Sequence, residues 1–96
     1  MNTPLPPSIT LAGKRLKVVY KDLGNNLGFY EHDKGEIQLH TCYKDKGSPE
    51  AWLTLQHEMV HASLAIGGVS FVLNEEAEEA VVRNIEQLLI PALWEL

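Results

Sequence analysis

Residues 57–61 read His57-Glu58-Met59-Val60-His61, two histidines four apart with a glutamate directly after the first. On an α-helix, residues four apart lie one turn apart on one face, so both imidazoles can aim at one point. Neutral imidazole is a good zinc ligand. Glu58 is rotated by about 100° from His57, one residue's share of a 3.6-residue turn, and so flanks that point. Its carboxylate is then placed to take a proton from water that zinc has made acidic. Five residues thus carry two metal ligands and a general base. Chance is the plain alternative, because most helical histidines hold no metal. Against it, Trp52, Leu53, Leu55, Met59, Val60 and Leu64 make the segment apolar on most sides. Two imidazoles and a carboxylate in such surroundings cost desolvation unless something compensates, and a zinc ion would.

Catalytic zinc takes three protein ligands and leaves a fourth position open. The extension HExxHxxGxxH is absent, with Leu64 and Gly67 at its glycine and histidine positions. The other histidines, His32 and His40, lie upstream on predicted strands. Downstream, Glu75, Glu76, Glu78 and Glu79 open a second helix that can fold back across Gly67-Gly68. Its apolar stripe comprises Val81, Val82, Ile85, Leu88, Leu89 and Ala92. Stepping back three from Val81, or four from Val82, lands on Glu78, and three more reaches Glu75. Glu78 is therefore the preferred third ligand, with Glu75 and then Glu79 as alternatives. A remaining glutamate can orient an imidazole through its other nitrogen. A solvated acidic helix start accounts equally well for at least two of the four, since it suits the helix dipole.

The elements that must position these residues are legible in part. Pro4, Pro6 and Pro7 favour an extended, weakly ordered arm over residues 1–10. Leu16, Val18 and Tyr20 alternate with Arg15, Lys17 and Lys21, the period of a half-buried strand. A turn at 23–28 leads to a second strand near 28–32, and Gly35 suits the left-handed position of a hairpin before a third strand, 36–41. Three strands with short connections predict an antiparallel meander. Ser48 is a good N-cap and Pro49 fits the first helical position, so a helix should run from Pro49 to about Ala65. Asn74 caps the second helix, which should reach about Ile90 before Pro91 kinks or ends it. The expected fold is α+β: a small antiparallel three-stranded sheet packed on the HExxH helix and a glutamate-bearing helix, one domain over 1–96.

The 96 residues carry a net charge of −5, and 45% are apolar. This is the composition of a soluble globular protein, with no clustered basic stripe for nucleic acid. No stretch approaches the ~20 apolar residues that span a bilayer. The N-terminus lacks a signal-peptide pattern, so a cytoplasmic location is expected. The lone Cys42 excludes an intramolecular disulfide and a Cys-rich zinc knuckle, and reads as a half-buried strand residue.

HEMVHA, a loop, and then an acid-rich helix of form EExVV…LL resemble the gluzincin metallopeptidases. The likeness is greatest to their minimal members, the minigluzincins, and to small metallopeptidases of phage and prophage genomes. It covers roughly residues 15–90; HEMVH is its specific part. The resemblance implies a zinc endopeptidase acting on a peptide or protein substrate. His57, His61 and a glutamate would hold Zn2+, and Glu58 would activate water and pass its proton to the leaving amine. It also implies a strand edge, taken as 36–41, that pairs with an extended peptide. His40, Tyr30 and Tyr43 are candidates to stabilise the oxyanion. Either the arm 1–10 or the tail PALWEL can occlude the cleft. The competing expectation is a zinc-stabilised, non-catalytic protein-binding module; Glu58 favours catalysis, because zinc held only for folding needs no base.

Overall fold

The computed structural model describes residues 3–45 and 47–96. Met1 and Asn2, the start of the expected arm, and Lys46 lie outside the described residues. The fold is α+β, and its sheet has four strands rather than three: β1 (Ser8–Leu11), β2 (Lys14–Lys21), β3 (Gly28–Glu31) and β4 (Glu36–His40). The strand order is β1-β2-β4-β3. β1 pairs antiparallel with β2 and β3 antiparallel with β4, whereas β2 and β4 run parallel. The expected meander is thereby corrected to a mixed sheet. Alternation along a strand fixes which face is buried but says nothing about its neighbours.

The first correction lies in the arm. Ser8–Leu11 turns back through Ala12 and Gly13, at φ 52° and 79°, the pair of positive values that a tight two-residue hairpin requires. Ile9 and Leu11 pack against the core, and the Val18 amide donates to the Pro7 carbonyl at 2.9 Å. The second correction lies in the centre. The loop from Asp22 to Leu27 carries the chain past the slot between β2 and β3. The β3–β4 hairpin, closed at Gly35 (φ 62°), then folds β4 into that slot. β4 is consequently an interior strand, not the free edge expected for 36–41. Its Ile37 and Leu39 are fully buried, and Gln38 is buried on the opposite face, between its strand partners Val19 and Phe29. Gln38 satisfies its amide by donating to Glu36 Oε1 at 3.2 Å. The free edge on the helix side is β3.

Helix α1 (Pro49–Ile66) begins as its sequence dictates. Ser48 Oγ accepts from the Ala51 amide at 3.2 Å, Pro49 takes the first turn, and Gly67-Gly68 ends the helix, with Gly68 at φ 83°. Leu55 and Ala62 join Leu16, Val18, Ile37 and Leu39 in one apolar cluster, with Met59 and Ile66 packed on it. A single-turn helix at Val69–Phe71 leads to α2 (Glu75–Asn84), capped by Asn74 Oδ1 on the Ala77 amide at 2.8 Å. Val82 is the one fully buried residue of α2, and α2 packs against α1.

Pro91 does not end this second arm. A π segment, Ile85–Leu89, is followed directly by α3 (Ile90–Trp94), and the Ile90 amide reaches five residues back to the Ile85 carbonyl. Proline has no amide hydrogen, and its ring crowds the carbonyl four residues earlier, so a widened turn just before it relieves the clash. Beyond Ile85 the expected apolar stripe is not covered: Leu88 and Leu89 are each more than half exposed, Ala92 is exposed, and so is the neighbouring Leu93. No helix among the described residues is long and apolar enough to cross a membrane.

Core truncation should separate buried from exposed leucines. Leu39→Ala is expected to lower unfolding free energy by about 2–5 kcal/mol in urea denaturation. Leu93→Ala, at an exposed position, should stay within about 0.5 kcal/mol.

Candidate metal centre

Both histidines of HEMVH emerge on the side of α1 that faces α2. Their rings stand 4.9 Å apart, centroid to centroid, at 70° to one another. Each is held at Nδ1 by a carboxylate from the second arm. Glu86 Oε1 and Oε2 lie 2.9 and 3.1 Å from His57 Nδ1, and Glu78 Oε2 lies 2.6 Å from His61 Nδ1. A carboxylate on Nδ1 keeps the proton there and leaves the Nε2 lone pair free for another partner.

Glu79 brings that partner into view. Its Oε1 lies 3.0 Å from His61 Nε2, and ligand atoms from His57, His61 and Glu79 all fall within 4.8 Å of one another. His61 thus has a carboxylate oxygen at each ring nitrogen, while a neutral imidazole has one N–H to give. Nε2 and the Glu79 oxygen are both acceptors in that state, so a second proton or a metal ion is needed between them. Two imidazoles and one carboxylate are a recognised donor set for catalytic zinc, so the residues present fit the ion the sequence implies.

The ranking of glutamates changes accordingly. Glu78, preferred from the helix face, is bonded to His61 Nδ1. Glu79, the last alternative, is the one that joins the two imidazoles, and Glu75 lies further along the cavity wall. The reason is the centre of the face. Val82 alone is fully buried, and three residues before it stands Glu79, four before it Glu78 and four after it Glu86. Counting the exposed Leu88 and Leu89 as part of the stripe shifts its centre by about a residue. Glu86 was not singled out from the sequence. It sits within the π segment, which the Pro91 position alone could have signalled.

Glu58 is buried, at 6% exposure, on the edge of the helix face that meets the sheet. Burial pushes its carboxyl pKa up; the charges of His57 and His61 pull it down and those of Glu79 and Glu86 push it up, for a net rise. Glu78 moves the other way. Burial raises it, but the neighbouring Ser70 hydroxyl and the hydrogen bond and charge of His61 outweigh burial and leave it below its ordinary value. Ser70 Oγ is itself buried without a partner at ordinary hydrogen-bond geometry.

Two cavities open on either side of these groups. One of about 390 Å³ is lined by Leu27, Leu53, Thr54 and Glu86; one of about 720 Å³ by Tyr30, His32, Phe71, Glu75, Glu78 and Glu79. His57, Glu58, Asn26 and Gly28 line both, so the cavities form one cleft across the histidines. Among the three oxyanion candidates, only Tyr30 is on this cleft. Its hydroxyl bonds His32 Nδ1 at 2.9 Å, and burial pushes its pKa up. His40 accepts from the Cys42 amide and faces Asp22 at 3.6 Å, and Tyr43 packs against the core, so neither lines the cleft. Cys42 is exposed at the turn after β4 rather than half-buried within a strand. The cleft is not occluded by residues 3–10 or 91–96, none of which lines either cavity; the Thr3 carbonyl is instead taken by Trp52 Nε1 at 2.7 Å.

An α+β fold whose sheet-packed helix presents two imidazoles and a buried carboxylate to an acidic cleft defines a candidate metal centre. Set against protein-family models, curated proteins and solved structures, the chain matches none. The resemblance to gluzincins therefore rests on the residues quoted for it.

The geometry separates the roles of three glutamates. In zinc titration with a competing chelator, Glu79→Gln should weaken binding most. Glu86→Gln and Glu78→Gln, acting through an imidazole, should each weaken it by about 10–100-fold.

Proposed function

We propose that the protein is a zinc-dependent peptidase in which His57, His61 and Glu79 hold the metal and Glu58 is the general base. The observation that carries this reading is the convergence of two imidazoles and a carboxylate beside a buried fourth acid, at the middle of an open cleft. When bound, zinc supplies Lewis acidity, polarising a carbonyl oxygen and making water acidic enough to attack near neutral pH.

The chain's own groups account for the rest. Glu58 accepts the proton of the attacking water and delivers it to the amine nitrogen as the peptide C–N bond breaks. A carboxylate with a raised pKa suits both halves of that transfer, because it holds the proton more readily than an exposed one. Glu86 and Glu78 keep the imidazoles in one tautomer and one orientation. Among the described residues β3 pairs only with β4, so its other side offers backbone N–H and C=O groups along the cleft. An extended substrate can add to that edge as a further strand. Tyr30 and His32 supply polar groups on the wall of the larger cavity. Among the described residues the lining contains Asp33, Glu75 and Glu79 and no lysine or arginine, so acidic substrate segments are disfavoured.

Metal analysis after purification without added metal is expected to give one zinc per chain for the unsubstituted protein and for Glu58→Gln. Cleavage of a mixed peptide library should fall by about 10²–10⁴-fold in Glu58→Gln, the contribution of a general base. Equal turnover in both proteins, or none in either with zinc bound, would leave a non-catalytic zinc-stabilised binding module as the better account.

A further inference from the structure

The base has an unusual neighbour. Gly28, the first residue of the edge strand β3, lines both cavities and crosses α1 at the level of Glu58. A Cβ placed on Gly28 would stand 2.9 Å from Glu58 Oε2 and 3.0 Å from Glu58 Cγ. It would also stand 2.9 Å from Thr54 Cγ2, one turn earlier on the same helix. Contacts this short do not occur between real side chains, so something would have to move. The Gly28 backbone is not left-handed, unlike that of Gly24 or Gly35, so conformation does not demand glycine here. Close approach does.

We propose that Gly28 is a positioning residue for Glu58: its missing side chain lets the edge strand lie directly on the carboxylate and fix where it points. This deepens the peptidase reading and rests on it. Residue 28 cannot retreat far, because its strand is held to β4, with Gly28 opposite Leu39, and Leu39 is fully buried in the core. The Glu58 side chain, by contrast, ends in a rotatable carboxylate. A methyl group at 28 therefore displaces the base before it displaces the strand. Glu58 lies between the metal-site imidazoles on one side and Gly28 on the other, and a shift of about 1 Å in a reacting group can cost about 100-fold in rate. The three atoms nearest that Cβ position belong to Glu58 and Thr54 and none to His57, His61 or Glu79, so the crowding falls on the base ahead of the metal-site residues.

The test uses Thr54→Ser as the parent, which removes the competing Thr54 methyl and keeps the hydroxyl that donates to the Glu50 carbonyl. Gly28→Ala in that parent should lower kcat about 10–100-fold with KM within about twofold. Zinc stoichiometry and affinity should be unchanged. A thermal-stability cycle reads the same contact without any substrate. Gly28→Ala should lower the Tm of the Thr54→Ser parent by about 4 °C or more. It should lower the Tm by less than half as much once Glu58 is also alanine, because the obstructing carboxylate is gone. Equal Tm losses with and without Glu58 would overturn the proposal, as would a kcat unaffected by Gly28→Ala. Absence of turnover in the zinc-loaded parent and the unsubstituted protein, with the Tm coupling intact, would instead overturn the peptidase reading beneath it.

Discussion

Glu86 and Glu78 grip the Nδ1 atoms of His57 and His61, and these two contacts tie the second helical arm to α1. Each places a carboxylate oxygen within 3 Å of an imidazole nitrogen at a site where all four side chains are at least two-thirds buried. Partly buried charges on one arm require partners on the other. With Glu79 at the remaining nitrogen of His61, three acids surround two imidazoles, and Glu58 lies buried beside them. Such a concentration of negative charge is costly unless positive charge is shared among its members. That constraint makes the centre a natural place for a divalent cation, and it explains why the second arm carries its acids on the face turned to α1.

The sheet meets the centre from the other side. Because β4 is folded into the interior, its apolar residues anchor the sheet to α1 through Leu55 and Ala62, and β3 is left as a short edge over the helix. The edge is close enough that a Cβ on its first residue, Gly28, would crowd Glu58 and Thr54. One helix therefore serves two surfaces. Leu55, Met59 and Ala62 face the sheet, His57 and His61 face the second arm, and Glu58 falls on the boundary. Its burial follows from that boundary position.

Much of this was legible in the residues alone. Ser48-Pro49 and Asn74 mark both helix starts, Gly67-Gly68 the first helix stop and Gly35 a hairpin, because caps and turns are set by neighbours a few residues away. The spacing of His57, Glu58 and His61 is a property of any helix. The strand Ser8–Leu11 carries no sequence signal of its own, since four residues after three prolines give little periodicity. His40 and Tyr43 were reasonable candidates by type, but their chain segment turns away from the cleft after β4.

What the sequence determined by itself was the pair of imidazoles with its flanking acid, the α+β class and the acid-rich start of the second helix. Strand order, the grouping of Glu79 rather than Glu78 or Glu75 with both imidazoles, the bond from Glu86 to His57 and the close approach of Gly28 to Glu58 were decided only in the tertiary structure. The reason is physical. Local pattern fixes the rotation of a residue about its own helix axis, but which residue meets a neighbour depends on how two elements are rotated and shifted against each other. Here that was set by the packing of Val82, by the π segment ahead of Pro91, and by the insertion of β4 between β2 and β3.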